Sequence, residues 1–211
     1  MIFHRRINMA SKATYNLTYG LFVVTAKDGE KDNGCITNTV GQVTTTPNRI
    51  TLAVNKNNFT HDMIVKTGKF NASILSQAAG NDIFKHFGFQ SGREVDKFAD
   101  FGDVARSENG LYYITKGTNA FISASVVESW DVGTHTLFLA DVTEQGVLGG
   151  TASMTYDYYQ TYVKHLPKKV TKTVWRCEIC GYEYEGEQLP ADFICPICKH
   201  GAEYFKKIEA K

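Results

Sequence analysis

The sequence is short of cysteine where a disulfide scaffold would need it. Its first 176 residues hold one, Cys35, and the other four crowd between positions 177 and 198. A secreted framework spreads its cysteines along the chain, so this distribution points to thiolate ligands in a reducing cytoplasm. Long apolar runs are also missing. Leu21–Val24 and Leu137–Ala140 fall far short of the ~20 residues that cross a bilayer, so no membrane association is expected. Met1–Lys12 carries basic residues with no continuous apolar stretch behind them, which argues against a secretory signal. An excess of one charge is lacking too: 23 basic and 22 acidic residues leave a net +1, too little to attract nucleic acid or an anionic surface. No Gly-x-Gly-x-x-Gly run follows a strand, so a Rossmann-type dinucleotide site has no support, and no internal repeat or low-complexity segment is found.

What is present is an ordinary soluble composition, 43% apolar and 21% charged over 211 residues. That length suits one or two domains, at roughly 150 residues each. Leu17–Ala26, Ile50–Asn55, Phe70–Leu75, Phe121–Val127 and Thr136–Val142 are rich in β-branched and aromatic residues and read as strands. Lys27-Asp28-Gly29, Asn33-Gly34 and Pro47-Asn48 supply turn chemistry between them. Helices are expected over 60–67, with Thr60 as N-cap and Gly68 as the stop, over 81–87, and over the tyrosine-rich 154–163. Many strands with few short helices predict a mainly β fold, a closed or nearly closed barrel. Residues 164–173 change character, with four lysines, one proline and little to bury, and read as a linker. The expected organisation is therefore a barrel over 1–163, the linker, and a small module over 174–211. That module carries five basic and seven acidic residues against eighteen and fifteen in the rest, an opposite polarity that would favour docking between the two.

The small module holds two Cys-x-x-Cys pairs, Cys177/Cys180 and Cys195/Cys198, with 14 residues between them. Each pair makes a tight turn aiming two sulfurs at one centre, and two such turns close a tetrahedral cage of four sulfurs for iron or zinc. Spacing alone reads as a zinc ribbon as readily as an iron site. The surrounding residues carry more information. Trp175 and Phe193 each stand two before a cysteine, Cys180 is followed by Gly181-Tyr182-Glu-Tyr184, Cys195 by Pro196, and Phe205 lies seven after Cys198. In these features residues 173–209 resemble the rubredoxin family, which implies one iron held by the four cysteines and one-electron transfer. Two departures stand out: a short loop from Gly181 to Ile194, as in rubredoxin modules of fused proteins, and Lys199 where the family carries glycine. Lys199 must then accept an uncommon backbone or the turn must adjust.

In the larger part, Thr37-Asn38-Thr39 is a polar run where a buried strand would alternate. It suits either a solvated edge strand or a lining of hydroxyl and amide groups. Lys56 beside the Thr60-His61 helix start could hold a phosphate, a cation joining free N–H groups, or be a plain surface lysine. Cys35 has the alternative of small apolar filler, and His135 that of a satisfied core or interface histidine. Tyr156, Tyr158 and Tyr159 suit packing. The run from Tyr19 through Thr25, then Asn33-Gly34-Cys35-Ile36-Thr37-Asn38-Thr39-Val40, Pro47, Asn55-Lys56 with Thr60-His61, and Gly133-Thr134-His135 resemble the flavin-reductase-like family of FMN-binding split barrels over residues 10–165. Thr134 replaces that family's Asp. The resemblance implies an FMN site drawn from Thr25, Asn33, Cys35, Thr37, Asn38, Thr39, Asn55, Lys56, Thr60, His61 and His135, reduction by NAD(P)H, and a homodimer.

The pairing of modules resembles the high-molecular-weight rubredoxins. It implies electron flow from NAD(P)H through FMN to the four-cysteine iron, then to a redox partner such as a flavodiiron oxygen or nitric oxide reductase. Two other readings remain at this point: an FMN-binding barrel whose zinc ribbon is a binding module, and a flavin reductase feeding reduced flavin to a monooxygenase.

Overall fold

The computed structural model describes residues 13–164, 174–186 and 188–208. The expected signal-free N-terminus and nearly all of the expected linker lie outside them. The chain divides into two compact units, Met1–His165 and Leu166–Lys211.

In the larger unit, after a 3-10 turn at Ala13–Asn16, the order is β1 (Phe22–Asp28), β2 (Lys31–Thr37), β3 (Gly41–Thr45), β4 (Asn48–Asn55), α1 (Phe59–Thr67), β5 (Lys69–Leu75), α2 (Asn81–Gly88), β6 (Val104–Arg106), β7 (Tyr112–Ile114), β8 (Thr118–Asp131) and β9 (His135–Val147). Seven strands form one antiparallel sheet in the order β2-β1-β5-β8-β9-β4-β3, and β6 pairs with β7 apart from it. Side chains from β2 near one edge and β4 near the other share a single core: Val24, Cys35, Leu52, Phe70, Ala124, Phe138 and Ala140, capped by Met63 and Ile64 of α1. Opposite ends of a sheet can meet in one core only if the sheet curls. The fold is therefore a mainly β split barrel with short helices.

Strand alternation explains why Leu21–Val24 is apolar without a break. Phe22 and Val24 face the barrel core, while Leu21 and Val23 face a second core with Leu75, Ile83, Phe84, Phe87, Met154, Tyr159 and Val163. A strand covered on both faces has no polar side to show. Tyr159 packs on Phe84, ring centroids 4.3 Å apart. The expected helix over 154–163 is a short turn, Tyr156–Tyr158, running into a π-helical turn, Tyr159–Val163.

Two local expectations change. Asn33-Gly34 is not a turn but mid-strand, paired with Ala26 and Thr25. Glycine serves there because the Phe87 ring would stand 3.1 Å from a Cβ, a close approach rather than a reversal. The real reversal is at Gly29, φ +57°. The cap of α1 is Asn58, not Thr60: its side chain accepts from the Thr60 N–H at 3.1 Å. Gly68 ends the helix at φ 68°, as expected.

The smaller unit has β10 (Val174–Cys177), β11 (Glu183–Glu185) and β12 (Phe205–Ile208), ordered β11-β10-β12. Its core is Cys177, Cys195 and Phe205, with Trp175, Tyr182, Tyr184 and Phe193 packed around them. Phe193 meets Phe205 edge-on at 5.3 Å and Tyr184 at 4.7 Å.

Candidate functional site

The four cysteines of the smaller unit converge. All four Sγ atoms lie within 4.8 Å of one another, with Cys177–Cys198 at 3.6 Å and Cys180–Cys195 at 3.5 Å. Tetrahedral bonds of ~2.3 Å would put the sulfurs ~3.8 Å apart, so the cage fits one metal ion. Two near-identical knuckles build it. The Gly181 N–H donates to the Cys177 carbonyl at 2.9 Å and the Lys199 N–H to the Cys195 carbonyl at 3.0 Å. In return the Cys177 N–H reaches the Tyr182 carbonyl and the Cys195 N–H the His200 carbonyl, both at 2.8 Å.

The wrapping aims backbone amides at the sulfurs: Ile179 and Cys180 at Cys177, Tyr182 at Cys180, Ile197 and Cys198 at Cys195, and His200 at Cys198. Against the opposing effect of burial, these amides hold the Cys177 thiol below its ordinary range and bring Cys195 down to about 6. Cys180 and Cys198 keep one amide each, yet burial and the neighbouring sulfurs push both up, Cys198 to about 12. Four sulfurs this close, each approached by at least one backbone amide, form a site in which a bound cation would balance the thiolate charge. Four protein ligands leave no position for substrate, so such a metal serves the structure or, if redox-active, exchanges electrons without binding substrate.

In the barrel, the expected residues fall into three groups. The first is Asn33, Cys35 and Thr60. Asn33 Nδ2 donates to Thr60 Oγ1 at 2.9 Å, and the Cys35 thiol is bonded by the side chains of Thr60 and Asn58, while burial pushes its pKa up. Asn33 Oδ1 is buried with no hydrogen-bond partner among the described residues. The second group joins β4, α1 and β9. Asn55 lies opposite His135, and His61 Nε2 contacts Thr136 Oγ1 at 2.8 Å. His135 Nδ1 contacts Thr134 Oγ1 at 2.8 Å. Lys56 is paired with Asp131 at 2.6 Å, and its N–H bonds to the Thr134 carbonyl. The third is the turn after β2, where Thr37 and Thr39 hydroxyls contact each other at 2.7 Å and Thr39 donates to the Ala53 carbonyl of β4. Half-buried Asn38 lies between them.

Thr25 is not brought to these groups. Its hydroxyl donates to the Tyr112 carbonyl, on the sheet face covered by α2. Sequence reasoning missed Asn58, although an asparagine just before a helix signals a cap. It also missed Asp131 and Thr136, which carry no local signal and are found only through strand pairing.

A model of the flavin reductase like domain matches residues 14–166, most of the chain. The chain belongs to the flavin reductase-like family. A rubrerythrin, rubredoxin-like domain model matches residues 175–206 of this flavin reductase-like protein. The high molecular weight rubredoxin of Moorella thermoacetica is 36% identical, with 95% of this chain and 100% of that protein aligned, so both units are shared in one order. The NAD(P)H ferric-chelate reductase of Archaeoglobus fulgidus is 35% identical over 76% of this chain and 92% of its own length. Among solved structures, the NADH:FAD oxidoreductase of Streptomyces globisporus C-1027 matches with a TM-score of 0.60 at 25% identity, covering 66% of this chain and 81% of that one. The flavin reductase-like unit is thus a flavin-binding oxidoreductase barrel, joined to a rubredoxin-type metal centre. No helix among its described residues is long and apolar enough to cross a membrane.

Proposed function

We propose that this chain carries electrons from NAD(P)H through FMN to a single iron in the four-cysteine cage, and from there to a redox protein such as a flavodiiron oxygen or nitric oxide reductase. The observation that carries this reading is the saturated sulfur cage on the same chain as a flavin reductase-like barrel. A nicotinamide delivers two electrons together as hydride, the iron takes one, and a flavin converts between the two. Iron is favoured over zinc because Trp175, Tyr182, Tyr184, Phe193 and Phe205 pack on the Cys177 and Cys195 side of the cage in the rubredoxin pattern, leaving Cys180 exposed at the other, while amides aimed at the sulfurs offset the added negative charge of the reduced metal.

In the barrel, the chain's own groups bind and orient. Asn33, whose orphaned Oδ1 is fully buried against Gly92, lines the wall behind the pocket. Thr37, Asn38 and Thr39 offer hydroxyl and amide groups to the ring and its polyol chain. Asn55 and Lys56 at the start of α1 offer donors to a phosphate, with Lys56 exchanging Asp131 for it, and Thr60 and His61 would join them by exchanging their present partners, Asn58 for the Thr60 N–H and Asp62 or Thr136 for the His61 ring. No side-chain acid or base is needed for hydride transfer. Further parts of this reading are a homodimer and a cytoplasmic location, consistent with free thiolates.

The test is anaerobic addition of NADH, and separately NADPH, to iron-loaded protein while the visible spectrum is followed. Flavin and iron absorption are expected to bleach, and Cys177→Ser should keep flavin reduction but stop delivery to an added acceptor. Delivery at the original rate without the iron would remove the metal from the path.

A further inference from the structure

Lys97 is 3% exposed, and its ammonium donates to the carbonyls of Gly34 at 2.8 Å and Phe87 at 3.1 Å. Both acceptors are neutral, and no carboxylate pairs with Lys97 among the described residues. A buried cation without a counter-ion is costly, and burial holds its pKa below the ordinary lysine range. The same position filled by a neutral side chain would avoid that cost, so the charge calls for a use.

Its surroundings point to one. Gly34, whose carbonyl it grips, lies between Asn33 and Cys35, and Lys97 acts through space on the Cys35 thiol. The segment bearing Lys97 touches the same wall at two further points. Gly92 lies so close to Asn33 that a Cβ there would stand 2.0 Å from the orphaned Oδ1. Arg93 pairs with Asp62 and lies over the Phe59 ring, centroid 4.9 Å away, at the start of α1. His86 Nε2 in turn donates to the Lys97 carbonyl at 2.6 Å, fixing the backbone behind the ammonium.

We propose that Lys97 is a positioning and electrostatic residue of the flavin pocket, a positive charge set behind the Asn33–Cys35 wall that raises the reduction potential of the bound flavin. Reduction adds negative charge to the flavin, and a fixed cation in a poorly screened interior favours the reduced form over the oxidised one. A higher flavin potential makes hydride uptake more favourable and onward transfer to the metal less steep. This inference rests on the flavin pocket assigned above.

The experiment uses the full chain reconstituted with FMN, with the midpoint potential measured spectroelectrochemically and oxidised and reduced FMN affinities measured separately. Failure of the wild-type chain to bind FMN would refute the pocket itself. With binding established, Lys97→Gln keeps donors for the two carbonyls but removes the charge. It should lower the potential and weaken reduced FMN on the order of tenfold more than oxidised FMN. Lys97→Arg, which keeps the charge, should stay near wild type. Loss of FMN from a folded Lys97→Gln with retention in Lys97→Arg also supports the charge. An unchanged potential in Lys97→Gln, or equal loss of fold or flavin in both variants, makes Lys97 a structural strut and overturns the proposal.

Discussion

Gly181 and Lys199 occupy equivalent places in the two cysteine knuckles, each donating its N–H to the carbonyl of the first cysteine of its pair and each at positive φ, 76° and 61°. Lys199 is the one non-glycine residue at positive φ among those described. A side chain in this left-handed conformation costs about 1 kcal/mol, which glycine escapes. Lys199→Gly is therefore expected to stabilise the metal-loaded small unit by about 1 kcal/mol, and Gly181→Ala to destabilise it by a similar amount. Chelator-driven metal release followed at the charge-transfer band measures both. Faster release from Lys199→Gly would show that the lysine side chain supports the knuckle in some other way.

Thr60 is fully buried and its hydroxyl serves both Asn33 Nδ2 and the Cys35 thiol. Thr60→Val keeps the shape but leaves the Asn33 amide without its acceptor, in addition to the Oδ1 already unpaired. A stranded buried donor costs about 1–3 kcal/mol. Urea unfolding of the barrel should show a loss in that range, together with weaker flavin binding, and Thr60→Ser should recover most of both. Unchanged flavin affinity in a destabilised Thr60→Val would separate this hydroxyl from the pocket.

The difference between Thr60 and Lys97 shows what the chain states locally and what it does not. The metal cage was legible because two Cys-x-x-Cys pairs and their flanking aromatics are contiguous motifs whose geometry is fixed within a few residues. Helix α1 was legible from its Gly68 stop, though its cap slipped by two residues because Asn58 and Thr60 are both good caps. Asn33-Gly34 reads as a turn because glycine permits one, yet the glycine answers the Phe87 ring, far along the chain. Lys97 has no sequence signal. It sits in an irregular stretch, and its burial exists only because the carbonyls of residues 34 and 87 meet there. Strands β2 and β3 were unread for a similar reason: polar edge strands lack the apolar alternation that marks a half-buried one.

Asp62 lies in the first turn of α1 and is bonded by the His61 ring at 3.1 Å and by the Arg93 guanidinium. The His61 hydrogen bond, followed by Arg93, holds its carboxyl below the ordinary aspartate value of about 3.9. A carboxylate depressed in the folded state contributes stability above its unfolded pKa and loses it as pH falls through the folded one. Asp62→Asn should therefore be less stable than wild type at pH 7, with the gap closing as the pH drops below about 4. Chemical denaturation across that range checks the sign. A gap that widened in acid would mean that Asp62 is not the group whose protonation matters. Because both Asp62 and Arg93 are half exposed, the gap should also shrink in high salt.

Metal removal should act on one unit alone. The small unit's described core is three buried residues, two of them cysteines, with aromatics packed on them. A segment this short cannot bury enough apolar surface to fold unaided, so the metal–sulfur bonds must supply much of its stability. The barrel has two cores of its own, neither of which includes a cage cysteine. After the metal is stripped under reducing conditions, limited proteolysis should cut within 174–208 while 13–164 resists, and the barrel's melting transition should keep its temperature. Returning iron should restore protection of the small unit, and zinc, tetrahedral with the same ligands, should restore it equally well without restoring the visible absorption. Persistence of an intact small unit after complete metal loss would mean that its aromatic cluster folds alone and that the metal is a passenger in the structure, leaving redox chemistry as the sole reason for four cysteines there.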